Sequence, residues 1–181
     1  MAITSTDILL KYSNSAATTG NTTDAYNHLG GYMSKTNVAS NSLNNLFSDI
    51  TGAQNTASQT DYRCIFVFNN HATLTLYNTI AYISAEVAGA TTILLAVDNI
   101  AATWNALTNS RQASVTANTT SIPNATPALI FSSPTTADTA IVLGDLLPGY
   151  CRALWVQRKA GNTTAKNSDG FVLRVSGDTA E

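Results

Sequence analysis

The segment Arg63-Cys64-Ile65-Phe66-Val67-Phe68 is apolar from its second residue onward, and Asn69-Asn70 ends it. A short run rich in β-branched and aromatic residues and closed by turn formers reads as a central strand covered on both faces. It forces the rest of the chain to supply covering layers. Arg152-Ala153-Leu154-Trp155-Val156 poses the same demand, with Ala153 and Trp155 on one face and Leu154 and Val156 on the other. Such a strand is either central in a sandwich or covered by a neighbouring subunit.

Further strand candidates follow at short spacing. They are Ile8–Tyr12, Ala72–Leu76, Ala81–Glu86, Thr92–Val97, Ala128–Phe131, Thr139–Leu143 and Phe171–Val175. Tyr77-Asn78 is expected to turn the chain, and the strands between Arg63 and Val97 to form a β-meander or Greek-key segment. Pro148-Gly149 has the chemistry of a type II turn centre, since Pro fixes φ and Gly supplies a positive φ. Residues 160–170 read as a long polar hairpin loop. Helical spacing occurs at Leu43, Leu46, Phe47 and Ile50, where Asn41-Ser42 offers a cap for one short helix. The prediction is an all-β fold: an antiparallel β-sandwich, Ig-like or jelly-roll-like, of about eight or nine strands with long polar loops.

A length of 181 residues suits one domain, 1–181. Within it, residues 13–60 hold mostly Asn, Ser, Thr, Ala and Gly, with few core formers. Loops beyond ~15 residues are uncommon in compact domains, so 13–60 is expected to be a polar extended arm or excursion reaching onto neighbours. Its deletion is expected to leave a folded sandwich.

Charged residues make up only 11% of the chain, and its net charge is −2, against about 25% charged in ordinary soluble domains. Little repulsion then keeps copies apart. A nucleic-acid partner is not expected, because phosphate binding needs clustered cations and the nearest cluster is Arg152, Arg158 and Lys159. No stretch approaches the ~20 apolar residues of a membrane-spanning helix. The N-terminus lacks the pattern of a signal peptide, so cytoplasmic synthesis is expected, with Cys64 and Cys151 as buried free thiols.

Catalytic chemistry finds no constellation. A Cys64–His71 pair would lie roughly 20 Å apart along a strand at ~3.3 Å per residue, and His28 sits in the polar stretch. No metal-ligand spacing occurs, and Asn167-Ser168-Asp169-Gly170 reads as a turn before it reads as a calcium loop. The carboxylates of Asp7, Asp24, Asp49, Asp61, Glu86, Asp98, Asp138, Asp145, Asp169, Asp178 and Glu181 are scattered, mostly at turns and strand ends. Gly30-Gly31 lacks the helix a phosphate loop needs. Tyr77, Tyr82, Trp104 and Trp155 are candidate sugar-stacking aromatics, though such residues on strands more often pack in cores or interfaces. No catalytic residue, metal or cofactor is expected, and the chain reads as a non-enzyme.

The blocks Asp61–Leu76 and Leu143–Arg158, the opening Ile3–Ile8 and the closing Asp169–Thr179 together resemble small structural proteins of tailed bacteriophages. The resemblance spans both ends and the strand-rich blocks, and leaves the Asn/Ser-rich stretches uncovered. It implies a virion component, in the first place a capsid decoration (cement) protein. Such a protein sits on the capsid surface, associates with itself as a trimer and binds the major capsid protein. A tail or neck component, or a carbohydrate-binding sandwich on the virion, is the alternative.

Overall fold

A computed structural model describes residues 2–15, 28–87, 89, 91–100, 104–107, 110–164 and 169–179. Its strands are β1 (Ile8–Asn14), β2 (Tyr32–Asn37), β3 (Thr60–Asn69), β4 (Leu76–Glu86), β5 (Thr91–Val97), β6 (Trp104–Asn105), β7 (Ile141–Leu146), β8 (Tyr150–Ala160) and β9 (Phe171–Thr179). They form two antiparallel sheets. The larger has the order β2-β1-β3-β8-β5, with β6 also pairing β8, and the smaller has the order β7-β4-β9. The fold is the all-β, sandwich-type arrangement expected from the strand pattern.

The two runs that are apolar on both faces lie side by side at the centre of the larger sheet. Their ladder extends from Thr60↔Lys159 to Phe68↔Cys151. Ile65, Val67, Leu154 and Val156 point toward the smaller sheet and pack with Ala81, Ile83, Leu143 and Leu146. Cys64, Phe66, Ala153 and Trp155 point the other way into a second core with Met33, Ala106 and Ala113, against which Phe131 packs. The outer face of the larger sheet is therefore roofed by the chain's own loops. The backbone ties this roof down: Gly31 N donates to Ser114 O (3.1 Å), Cys64 N to His28 O (2.7 Å) and Tyr62 N to Thr119 O (2.6 Å).

Local expectations fail in instructive places. The strand expected at Ala72–Leu76 is a turn up to residue 75. His71 Nδ1 accepts from Thr73 N (3.1 Å) and Leu74 N (2.9 Å) and curls the chain. The expected turn at Tyr77-Asn78 lies inside β4. Asn78 takes φ 49°, and both ladders of β4 shift register between Leu76 and Ile80, the signature of a β-bulge. Asn tolerates that conformation better than most residues. Ala128–Phe131 joins no ladder. Pro123, Pro127 and Pro134 bracket it and cannot donate backbone hydrogen bonds, which leaves an isolated bridge between Ser132 and Leu95.

The expected meander and final hairpin are also absent. From β3 onward the chain crosses between sheets, so β4 leaves β3 for the smaller sheet and β5 returns. Leu147-Pro148-Gly149-Tyr150 is a tight turn, with Tyr150 N on Leu147 O at 3.0 Å and Gly149 at φ 77°. It links the two sheets rather than a hairpin. The chain from β8 to β9 makes the same kind of crossing.

Residues 28–60 of the polar stretch lie against the body, and residues 16–27 fall outside the described residues. β2 pairs with β1, Met33 is fully buried, and Leu46 and Phe47 enter the inter-sheet core. Deleting 13–60 would remove core side chains, so the expected survival of the sandwich does not follow. Helix α1 (Gly52–Thr56) forms just beyond the segment with helical spacing. Thr51 caps it, with Gln54 N donating to Thr51 Oγ1 (3.3 Å) and Thr51 N donating to Gln54 Oε1 (2.8 Å).

Candidate functional site

The carboxylates of the described residues mostly accept hydrogen bonds that hold turns and strand ends. Asp7 accepts from Thr4 N (2.8 Å), Asp145 from Asn78 N (2.9 Å), Asp178 from Asn78 Nδ2 (3.1 Å) and Glu86 from Ile93 N (3.2 Å). Among the described residues no group of three His, Cys, Asp or Glu side chains could hold a metal ion. Asn167 and Ser168 of the considered calcium loop lie outside the described residues, as do Asp24 and Glu181. Asp169 Oδ2 accepts from Thr91 Oγ1 (2.8 Å).

Cys64 and His71 do not meet. Cys64 is fully buried on the outer face of β3, where burial, reinforced by Asp98, pushes its thiol well up. His71 is occupied with its turn. Cys151 is also a free buried thiol, pushed up by desolvation. The charge of Arg152 pulls on the Cys151 thiol but is outweighed by burial, so neither thiol is favoured as a thiolate.

The most connected buried polar group among the described residues is Asp98, just past the end of β5. Oδ2 accepts from Trp155 Nε1 (2.7 Å) and Ser114 N (2.9 Å), while Oδ1 accepts from Ile100 N (2.9 Å) and Ser114 Oγ (3.2 Å). Asp98 is almost fully buried and Trp155 is 0% exposed. A buried carboxylate needs such a full set of donors to offset desolvation. Gly30, at φ 87°, completes the arrangement: a Cβ there would run into Ser114 O and sit 2.8 Å from the Trp155 ring. Gly30-Gly31 thus serves close packing of loop on indole. The candidate role of Trp155 as a sugar-stacking residue is overturned, because its ring is sealed in the second core. Tyr82 and Trp104 are half-buried, and Tyr77 is exposed at the bulge.

The Arg152, Arg158 and Lys159 cluster disperses. Arg158 bonds Asp61 at 2.8 Å and stacks on Phe47, with Cζ 4.6 Å from the ring centroid. Arg63 lies over the same ring at 5.3 Å. Phe47 is therefore gripped by two guanidinium groups, a contact no linear motif announces.

What the molecule offers to a neighbour is sheet surface. The outer face of the smaller sheet carries Ile80 and Tyr82 on β4, Val142 on β7, and Val172 and Arg174 on β9, with Ile80 opposite Val142 and Tyr82 opposite Arg174. Val142 is 66% exposed and Val172 55%. Along β9 runs a groove of about 310 Å³, which passes Ile8 and Leu10 of β1.

These features define a β-sandwich with one self-covered face and one bare one. No protein-family model matches the chain, and neither a curated protein nor a solved structure matches it. No helix among the described residues is long and apolar enough to cross a membrane.

Proposed function

We propose that this chain is a structural, non-catalytic subunit of a tailed-phage virion, a capsid decoration (cement) protein. It binds copies of itself, as a trimer, and the major capsid protein on the capsid surface. The observation that carries the reading is the unequal covering of the two sheets. The chain roofs the outer face of its larger sheet with its own loops but leaves Val142, Val172, Ile80 and Tyr82 on the outer face of the smaller one. Exposed aliphatic side chains grouped on a rigid sheet suit a protein contact. The low charge of the chain imposes little repulsion between copies. The resemblance carried by Asp61–Leu76 and Leu143–Arg158 supports the virion setting.

The work is mechanical. An interface of about 1,600 Å² gives useful affinity, and many copies on one lattice add avidity, so that joints between capsomers resist opening. The test combines the mass of the protein in solution with its binding to undecorated heads. A trimer that binds heads, and loses that binding on Val142→Glu with Val172→Glu, is the expected result. A chain that stays monomeric and ignores heads at high concentration would overturn the reading.

A further inference from the structure

At β9 the smaller sheet stops while the larger one continues. One edge of β9 pairs with β4, and among the described residues no strand pairs with the other edge. Beside that edge lies the groove, lined by Ile3, Ile8, Leu10, Leu76, Leu173 and Val175 together with small polar and glycine positions, and none of its lining residues is ionisable. Leu173 and Val175 are only partly buried against the inter-sheet core. An unpaired edge above an apolar groove is the arrangement used to capture an extended strand.

We propose that this groove is a strand-addition site. It takes one extended segment of a partner chain, uncharged, with branched aliphatic residues at alternate positions. The segment pairs with β9 and lowers those side chains onto Ile3, Ile8 and Leu10. The proposal rests on the assembly reading above and names the mode of one of its contacts.

Three observations choose this occupant. The groove sets β9 beside β1, and the larger sheet continues from β1 to β2, while Val38 and Phe47 pack against the inter-sheet core. A partner pairing edge to edge through its own folded sandwich would drive its second layer into the projecting β1 and β2, whereas a lone strand brings no second layer. The uncharged lining would leave an inward-facing charge desolvated and unpaired, so the inward residues are apolar, and the two-residue period of a strand sets them at alternate positions. Finally, one short strand buries less than the ~800 Å² per partner of a stable interface. The segment therefore belongs to a partner that also binds elsewhere.

The test is backbone amide exchange followed by NMR on the full chain, with a soluble probe peptide of alternating Thr and Val ending in Lys. Alternate β9 amides, those that point away from β4, are expected to slow roughly tenfold or more on peptide addition, while the amides of β7 at the opposite edge stay unchanged. Ile3→Glu should abolish the slowing. Ile3 precedes β1 and is half-buried, so thermal unfolding of that variant checks that the fold survives, and Val175→Thr provides a milder second variant. Equal slowing at β7, slowing that ignores both substitutions, or none at millimolar peptide would overturn the proposal. Heads that bind the Ile3→Glu protein as well as the wild type, with no peptide bound, would remove the groove and leave the assembly reading standing. Peptide protection in a chain that never binds heads would do the reverse.

Discussion

The indole of Trp155 donates to the carboxylate of Asp98 across 2.7 Å, at a point where both side chains have left water. This bond joins the central strand of the larger sheet to the loop that roofs it, through Ser114 on the same carboxylate. The roof is thus anchored by one acceptor serving four donors.

Asp98→Ala should cost at least about 3 kcal/mol of stability, since each buried donor left unsatisfied costs about 1–3 kcal/mol. Asp98→Asn should cost nearly as much, because either amide orientation turns its NH2 toward groups that also donate. Trp155→Phe, which removes only one donor, should cost less than Asp98→Ala. Urea unfolding of the three variants gives the order, and an Asp98→Ala loss under 1 kcal/mol would contradict it.

Gly30→Ala should be among the most damaging single substitutions, on the order of 3 kcal/mol or more. The added methyl meets backbone oxygen rather than a movable side chain, and φ 87° is itself unfavourable for alanine. Gly52→Ala, with open space around its position, serves as the control and should be near neutral by thermal unfolding.

His28 should make the fold acid-sensitive. Its ring stacks on Tyr12 with centroids 4.2 Å apart, and its Nδ1 is buried without a hydrogen-bond partner. Burial pushes its pKa below the ordinary 6.5, and the charge of Arg63 pushes the same way, against a hydrogen bond with the Ser13 backbone. The unfolded chain therefore takes up a proton that the folded chain resists. Stability should fall as pH drops through about 6.5, and His28→Gln should flatten that slope. Asp7, whose carboxyl is also held low, by hydrogen bonds from Thr4, acts in the same sense but in stronger acid: its contribution is present above the usual carboxylate range and lost as pH falls through its lowered folded value. Chemical denaturation at stepped pH separates the two.

Cys64 and Cys151 should resist a thiol reagent in the native state and react together on unfolding. Both are buried, and both thiols are pushed up by desolvation. A stoichiometric reaction in native buffer, without loss of structure, would contradict the packing described for the second core.

Much of the architecture was legible because period and turn chemistry are local. The apolar runs at 63–68 and 152–156 announced two covered faces, and the sandwich followed. Strand partners were not legible. Asn69-Asn70 and Pro148-Gly149 look alike whether the chain returns beside itself or crosses to the opposite sheet, and the crossing is decided by which faces need covering. Asn78 read as a turn because its preferred φ is the same in a turn and in a bulge. The roof was hidden for a different reason: Asp98, Ser114, Gly30 and Trp155 lie in separate stretches, and only tertiary packing brings them together. The surface was legible as uncharged, but the sequence did not show that one sheet would stay bare while the other covered itself.

The zigzag between layers also sets an order of events in time. Among the described residues only β1 and β2 are consecutive strands that share a ladder. During synthesis Cys64 must wait for Trp155 to emerge before the middle of the larger sheet can close, and β4 must wait for β9. Pairings so distant along the chain make for slow, late-committing folding: β1, β2 and β3 can pair early, but β4, β5 and β6 find partners only in the last third.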